Sequence, residues 1–389
     1  MARILFCWEL GGALGHLATV QTLAARLHAL GHEVHLATAA RISPDAMHVP
    51  ASLHTMPAWR PMKTAAVVRT YAHILRNVGY ADPAQLSFHL RAWQGMFQRV
   101  RPDVLVCETS PTALLAARGM NLPTINIGTG FSIPPRVHPL PDLHHWAPLG
   151  AETFVGDEDS LTATINEVLR AEHRAGLHHL HEMFDATLTA VCSVPELDAY
   201  SERSLESYVG DLARLPGIQM HWPGSSSKRL FAYLKTFPEL PQLLTALRQH
   251  DISVLIYAPG LPRAMVDRYR CAHMQFAPRP LDVNYTLRTA SLVITHGHGL
   301  TLQALQAGVP VLNFPLLLEQ HIVARRIAAS SLGSFCSPWG SSRIAITLDA
   351  LLNDRTFARR ARVFADRYAH FRSDEQGARL ATRIAELAN

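Results

Sequence analysis

The feature that most constrains this fold is an alternation of short apolar runs with amphipathic helical stretches. An apolar run over residues 4–8 is broken by the glycine-rich segment 11–15. A helical pattern then starts at His16, with Gly31 placed to cap its end. Further buried strands are predicted at 33–38, 103–108 and 123–128. Strands and helices in this rhythm are typical of a parallel sheet covered by helices on both faces.

A second alternation of the same kind follows residue 228. Its strand candidates are 230–234, 252–257, 274–277, 292–295 and 309–314. We therefore expect an α/β protein with two Rossmann-like doubly wound domains facing across a cleft. A length of 389 residues agrees, because a single hydrophobic core rarely grows beyond about 250–300 residues.

The domain boundaries follow from composition. We expect an N-terminal domain over 1–216, a turn-rich linker over 217–228 and a C-terminal domain over 229–370. A final helix over 371–389 can pack back on the first domain.

Three local predictions accompany this plan. Ser110 is expected to cap a helix that runs from Pro111 to Arg118. Residues 161–184 are expected to be helical, and so is the charged, alanine-rich region 356–387.

Composition limits the partners and the compartment. The formal net charge of +5 is small and dispersed, which argues against nucleic acid and leaves open phosphates or an anionic membrane surface. Five cysteines without a CxxC pair predict a reducing, cytoplasmic compartment. The N-terminus lacks the pattern of a signal peptide, and no run approaches the ~18 apolar residues of a transmembrane helix. The 22 histidines are scattered, so no metal site is expected.

The sequence of the first domain predicts a catalytic pair. Ligands of a doubly wound sheet bind beyond the carboxyl ends of the strands, where the strand order reverses. With the order 3-2-1-4, His16 after the first strand lies beside Glu108 at the end of the fourth. A carboxylate next to a histidine fixes its tautomer and stabilises the imidazolium, which makes the histidine a general base. Alone, His16 could merely pack its helix and Glu108 could face solvent; together they favour catalysis.

The second domain predicts a phosphate site by the same geometry. Lys235 and Thr236 follow its first strand, and His296 ends the strand at 292–295. The segment 297–299, Gly-His-Gly, then opens a helix whose backbone N–H groups suit a phosphate. The alternative interpretation is a tight connection from strand to helix.

Two common nucleotide motifs are absent from the sequence. The segment 11–15 lacks the GxGxxG spacing, and the second strand ends at Thr38 rather than at an acidic residue that could hold a ribose. This disfavours a nicotinamide-linked dehydrogenase. No Gly-Lys-Ser/Thr of a P-loop is present either.

Two segments resemble the inverting GT-B glycosyltransferases of the family-one type, which include plant, macrolide and glucuronosyl enzymes. Residues 11–38, GGALGHLATVQTLAARLHALGHEVHLAT, resemble the N-terminal strand, glycine loop and helix that supply the base. Residues 276–320, from FAPRPLDV through THGHGLTLQALQAGVP to LLLEQ, resemble the C-terminal donor signature. The resemblance covers nearly the whole chain and fits bacterial members.

The resemblance implies a role for each matching residue. His16, preceded by Gly15, matches the general base, and Glu108 stands where the family usually has Asp. Phe276 matches the aromatic that stacks on the base, with Ala277 beside it. The remaining donor-binding residues implied are Lys235, Thr236, Arg279, His296, Gly297, His298, Gly299, Thr301, Gln303, Glu319 and Gln320.

Three departures from the family pattern concern the donor. Arg279 replaces the usual Gln, and Gln303 falls where Glu normally holds the ribose hydroxyls. The loop before Thr301 is one residue shorter than usual. Lys235-Thr236 stands where Gly-Ser or Gly-Thr is common, which brings a positive charge near the diphosphate. These changes favour an altered donor preference.

The function implied is an inverting transfer from a UDP or dTDP sugar to a hydroxyl of a small-molecule or lipid-like acceptor, without a metal or cofactor. Two alternatives stay open: a nucleotide-sugar epimerase, and a GT-B-like auxiliary protein that activates a partner transferase.

Acceptor recognition is expected over residues 59–100 and 131–150. Basic and aromatic side chains are interleaved there: Arg60, Lys63, Arg69, Arg76 and Arg91 among Trp59, Tyr71, Tyr80, Phe88, Trp93 and Phe97. They form either an ordinary helical surface with the aromatics turned inward, or a pocket for a hydrophobic acceptor at a membrane face.

Overall fold

The computed structural model describes residues 1–12, 14–42, 47–62, 65, 67–200, 203–214, 216–340 and 343–388. Lys63, one of the basic residues of the expected acceptor region, lies outside the described residues. The chain divides into two compact units, Met1–Arg214 with Ser373–Asn389, and Leu215–Arg372.

The first unit is built on one six-stranded sheet of parallel strands. Its strands are β1 (Arg3–Trp8), β2 (Glu33–Thr38), β3 (Ser52–Thr55), β4 (Val104–Glu108), β5 (Thr124–Gly128) and β6 (Leu188–Val191). They are ordered β3-β2-β1-β4-β5-β6, which confirms the expected reversal of strand order between β1 and β4. Its helices are α1 (Leu14–Ala29), α2 (Tyr71–Leu75), α3 (Pro83–Val100), α4 (Pro111–Ala117) and α5 (Glu152–Ala171).

The second unit repeats this topology. Its strands are β7 (Arg229–Tyr233), β8 (Ser253–Tyr257), β9 (Met274–Phe276), β10 (Leu292–Thr295), β11 (Val311–Asn313) and β12 (Gly333–Phe335). Their order is β12-β11-β10-β7-β8-β9, so the reversal lies between β7 and β10. The helices are α6 (Leu240–Gln249), α7 (Arg263–Tyr269), α8 (Val283–Leu287), α9 (His298–Gln306), α10 (Leu318–Ala329), α11 (Ile344–Asn353) and α12 (Arg355–Arg367).

Apolar side chains cover both faces of each sheet. In the first unit one face of β1 and β4 packs against α3, α4 and α5, and the other packs against α1. The last helix, α13 (Ser373–Leu387), contacts α1 and shares this second core. Strands that are buried on both faces have nearly continuous hydrophobic sequences, so these strands could be predicted from their apolar runs.

Gly31 ends α1 as predicted. Its φ of +86° is the left-handed conformation that glycine adopts without steric cost. The N–H of His32 then donates to the Leu27 carbonyl at 3.1 Å, which closes the last turn.

Two of the predicted helices differ from the structure. The stretch 161–184 is not one helix: α5 ends at Ala171, and a 3₁₀ turn forms only at Leu180–Phe184. The amide of Asn166 bonds both the N–H and the C=O of Leu177, which turns the chain back across α5. The region 356–387 forms two helices, α12 and α13, rather than one.

No helix among the described residues is both long and apolar enough to cross a membrane.

Candidate active site

The reversal point of the first sheet joins the ends of β1 and β4. Trp8 and Glu108, the last residues of these strands, are direct neighbours in the parallel register. Just beyond them the Leu10 N–H donates to the Thr109 carbonyl at 3.0 Å. Helix α1 starts at Leu14, so His16 lies in its first turn and above this junction. The topology therefore brings two distant parts of the chain to one place.

The His16 side chain binds the Glu108 carboxylate. Its Nδ1 lies 2.8 Å from both Oε1 and Oε2. The Glu108 side chain is only 3% exposed, whereas the His16 side chain is 21% exposed. The Trp8 ring stacks on the imidazole with centroids 5.6 Å apart. Because Nδ1 donates to the carboxylate, Nε2 is the nitrogen that can take a proton.

Gly11 sets the space beside this imidazole. Its φ is +84°, and a Cβ added there would come within 2.5 Å of His16 Nε2. Any side chain at this position would therefore displace the ring. This is the local reason for glycine in the loop after β1.

Glu9, which the sequence analysis did not single out, is a second buried carboxylate at the junction. It follows β1 directly and is 8% exposed. The Trp59 indole N–H donates to its Oε1 at 2.8 Å, and the Thr112 backbone N–H donates to its Oε2 at 2.9 Å. Burial raises the pKa of Glu9, although these donors oppose the shift. Glu108 is predicted as a site residue because it ends a buried strand. Glu9 follows a buried strand as well, so the same pattern could have identified it.

Glu9 also replaces the expected cap of α4. Ser110 precedes this helix, but its Oγ is buried and has no hydrogen-bond partner among the described residues. The Glu9 carboxylate accepts from the first turn of α4 instead, through the N–H of Thr112. The loop after β1 and the helix after β4 are thus fastened to each other.

Trp59 connects Glu9 to a stack of aromatic rings. Its ring lies between Tyr80, at a centroid distance of 4.6 Å, and His89, at 3.9 Å. Burial lowers the pKa of His89 to about 4, so this imidazole is neutral at neutral pH. Tyr80 in turn bonds the Thr112 hydroxyl. Through the Trp59–Glu9 hydrogen bond, the stack is joined to the loop after β1.

Most of the interleaved residues in the expected acceptor region serve the fold. Three of the arginines bond carboxylates: Arg69 with Asp142, Arg76 with Asp157 and Arg91 with Glu172. The buried aromatics are Tyr71, Tyr80, Trp93 and Phe97, whereas Phe88 is 59% exposed. This arrangement supports the interpretation as a helical surface with inward aromatics more than the alternative of a pocket for a hydrophobic acceptor at a membrane face.

At the point where the strand order of the second sheet reverses, His296 after β10 lies next to the backbone of Lys235 after β7. The His296 ring is 2% exposed; its Nδ1 donates to the Phe314 carbonyl at 2.6 Å, and its Nε2 accepts from the Lys235 backbone N–H at 2.8 Å. Burial is the main reason that the pKa of His296 falls to about 4. His296 is among the implied donor-binding residues, yet both of its ring nitrogens already bind the protein. The ring instead holds the backbone at Lys235.

Two further residues with an implied donor role are packed inside the second unit. Thr301 is fully buried; its hydroxyl donates to the Gly297 carbonyl at 2.7 Å and accepts from Asn313 Nδ2 at 2.9 Å. Phe276 belongs to the core of this unit and is 9% exposed, so its ring offers little surface for stacking on a base. Ala277 is buried next to it. Sequence position alone did not reveal these orientations.

The other implied donor residues lie after β7, after β9, and on or next to α9 and α10. Lys235, Thr236 and Arg279 are exposed, and Gly297 is the N-cap of α9, followed by His298 and Gly299. Gln320 Oε1 accepts from the Leu316 N–H at 2.7 Å, and Glu319 precedes Gln320 in the first turn of α10. Gln303 lies half-buried on α9. An exposed ammonium beside the N-terminus of a nine-residue helix suits an anion.

Among the described residues, no group of three or more His, Cys, Asp or Glu side chains could hold a metal ion.

Comparisons with known proteins agree on one class. The zeaxanthin glucosyltransferase of Pseudescherichia vulneris is 30% identical over 290 residues, which are 68% of this chain and 70% of that protein. The structure of the glycosyltransferase VinC in complex with dTDP superposes with a TM-score of 0.69 at 17% identity, covering 99% of each chain. CalG4, the calicheamicin glycosyltransferase, gives 0.72 at 21% identity, over 100% of this chain and 98% of its own. No protein-family model matches the chain.

Two doubly wound sheets of parallel strands, with this likeness to solved glycosyltransferases, define a GT-B fold. The chain belongs to the family-one type of GT-B glycosyltransferases. It is therefore a glycosyltransferase.

Proposed function

We propose that the protein transfers a sugar, with inversion, from a UDP or dTDP donor to a hydroxyl of a small lipophilic acceptor, and that His16 is the general base. The observation that carries this proposal is the bond from His16 Nδ1 to both oxygens of the buried Glu108. A histidine held in this way presents Nε2 to the acceptor hydroxyl and keeps a carboxylate ready to stabilise the imidazolium.

The first unit carries out the proton transfer. As the acceptor oxygen attacks the anomeric carbon, its proton moves to His16 Nε2, and the positive charge on the ring is stabilised by Glu108. The bond between the anomeric carbon and the donor phosphate breaks at the same time. Attack from the face opposite the leaving group inverts the anomeric centre. Proton transfer by a placed base contributes about 10²–10⁴-fold to the rate.

The leaving diphosphate is assigned to the second unit. Negative charge grows on it during the reaction, and the backbone N–H groups at the start of α9 and the Lys235 ammonium are the groups that can stabilise it. His296 contributes indirectly, since it fixes the Lys235 backbone at 2.8 Å. This division of roles uses protein groups alone.

The donor and acceptor classes are supported by the relatives. One is a glucosyltransferase for zeaxanthin, an acceptor that is apolar apart from its hydroxyl groups, and a solved relative binds dTDP. For this chain we therefore propose a nucleoside diphosphate hexose as donor and a hydroxylated apolar molecule as acceptor. The epimerase and auxiliary-protein alternatives lose support, because the relatives are transferases.

The experiment is a thermal-shift panel followed by an assay of transfer. UDP, dTDP, GDP, ADP and NAD are added to the wild type at saturating concentration. A ligand at ~100 times its dissociation constant adds ~2.7 kcal/mol, which is readily measured. The proposal expects stabilisation by UDP or dTDP, and product with the matching glucose donor and zeaxanthin or 4-methylumbelliferone. No stabilisation by any nucleotide would contradict it and restore the auxiliary-protein alternative.

A further inference from the structure

Thr109 has an unusual backbone conformation next to the proposed catalytic carboxylate. It follows Glu108 at the end of β4, and its φ of +47° lies in the left-handed region. Four described residues other than glycine have a positive φ, namely Arg101, Thr109, His173 and Ser331, and Thr109 alone among them is β-branched. A β-branched side chain is a genuine outlier there, so surrounding contacts must hold it.

Those contacts reach both ends of the residue. The Thr109 carbonyl accepts from the Leu10 N–H at 3.0 Å, which ties it to the loop after β1. The Thr109 hydroxyl lies 3.3 Å from Glu108 Oε1 and 3.1 Å from Ser132 Oγ. Ser132 is itself buried. A chain of hydrogen bonds therefore runs from Ser132 through Thr109 and Glu108 to His16.

Space for this chain is kept by Gly128 at the end of β5. A Cβ there would lie 2.9 Å from Ser132 Oγ and 3.9 Å from Glu108 Oε1. The strand next to β4 thus carries no side chain at the one place where the serine hydroxyl approaches Thr109.

We propose that Thr109 is a positioning residue for the dyad, an inference that rests on the proposed role of His16. Glutamate has one more rotatable bond than the aspartate usual in the family, so its carboxylate needs a further contact to stay aligned with the imidazole. The Thr109 hydroxyl donates that contact to Oε1, and Ser132 Oγ lies 3.1 Å from the same hydroxyl. In this left-handed conformation the hydroxyl points at the carboxylate of the preceding residue.

A purely structural role for Thr109 would have different consequences. If the residue only formed a turn, Thr109→Gly would relieve the strained φ and leave the dyad unchanged. Thr109→Val keeps the branched shape but removes the hydroxyl, whereas Thr109→Ser keeps the hydroxyl. The three variants therefore separate the shape of the residue from its hydrogen bond.

The direct test is the tautomer of His16, which needs no substrate. In protein labelled with ¹⁵N-histidine, the His16 resonances are assigned by their loss in His16→Ala. The wild type and Thr109→Ser are expected to show one tautomer, with the proton on Nδ1. Thr109→Val and Thr109→Gly are expected to show a mixture, and Thr109→Gly to melt no lower than the wild type. A single Nδ1–H tautomer in both Val and Gly variants, or a mixture in Thr109→Ser, would overturn the proposal.

Turnover provides an independent reading. We expect Thr109→Val to lower kcat about tenfold or more with KM within twofold, because a small displacement of a catalytic group reduces the rate without changing binding. Combined with Glu108→Ala, Thr109→Val should cost nothing further, since it acts through that carboxylate. Additive losses in the double variant would contradict the proposal. Failure of the proposed function itself would appear separately, as normal turnover in His16→Ala.

Discussion

His16 Nδ1 lies 2.8 Å from both carboxylate oxygens of Glu108, although 92 residues separate them in the chain. The pair forms because β1 and β4 are neighbours where the strand order reverses. The second unit has a histidine at the corresponding reversal, where His296 accepts from the Lys235 N–H at 2.8 Å. His16 is partly exposed and is proposed as the base, whereas His296 is buried and binds the backbone of the loop after β7.

Gly11→Ala is expected to abolish most of the turnover. The added Cβ would lie 2.5 Å from His16 Nε2 and would force the imidazole away from Glu108. The φ of +84° adds a stability cost of about 1–2 kcal/mol. Gly12→Ala is the matched control, because a Cβ at Gly12 meets nothing within 4 Å. Steady-state kcat and the melting temperature check this; equal turnover in the two variants would refute it.

Glu9 is expected to make folding stability depend on pH. Burial raises the pKa of the Glu9 carboxyl group in the folded state above its ordinary value of 4.5. As the pH rises, Glu9 therefore loses its proton in the unfolded chain before it does so in the folded protein. The free energy of unfolding then falls until the pH passes the raised pKa, and Glu9→Gln removes that fall. Urea unfolding from pH 4 to 8 measures the difference between the two proteins. Glu167→Gln, at an exposed position, is the control, and the same pH dependence in wild type and Glu9→Gln would contradict the prediction.

Lys235→Ala is expected to weaken nucleotide binding without lowering the stability of the free protein. Its side chain is exposed and follows β7 at the end where the diphosphate is proposed to bind. Lys228→Ala is the matched control, since Lys228 precedes the same strand at its opposite end. His296→Ala should weaken nucleotide binding as well, and should also destabilise the free protein by about 1–3 kcal/mol, because the Lys235 N–H and the buried Phe314 carbonyl lose their partner. Thermal shifts with UDP and dTDP measure both effects; equal nucleotide shifts in the wild type and Lys235→Ala would exclude the assignment.

Glu108→Gln and Glu108→Asp are expected to separate charge from length. The amide keeps the size but cannot stabilise an imidazolium as a carboxylate does, so kcat should fall about 10²–10⁴-fold. Aspartate keeps the charge and shortens the side chain by one methylene, and should retain more activity than glutamine. Measuring kcat for both variants checks this order. Glutamine as active as aspartate would mean that the carboxylate charge is not used.

Much of this architecture could be predicted from the sequence. Apolar periodicity defines strands such as β1 and β4, and the usual order of a doubly wound sheet then places His16 beside Glu108. Glu9 satisfies the same reasoning, but its burial depends on Trp59, which comes from a distant loop that periodicity does not place.

The rest depends on tertiary contacts. The direction of the His296 ring is set by the Phe314 carbonyl beyond β11, and the turn that ends α5 by Asn166 reaching Leu177. Neither contact has a local sequence signature. Helical propensity alone therefore extended the predicted helix beyond Ala171, and the sequence did not show which backbone groups the His296 ring binds.

The most direct test of His16 as the general base is kcat of His16→Ala, measured with the donor and acceptor that the wild type uses. His28→Ala, at an exposed histidine farther along α1, is the control for the same substitution in the same helix. We expect His16→Ala to lose about 10²–10⁴-fold in kcat while nucleotide stabilisation and melting temperature stay near those of the wild type. Turnover within a few-fold of the wild type would show that His16 is not the base.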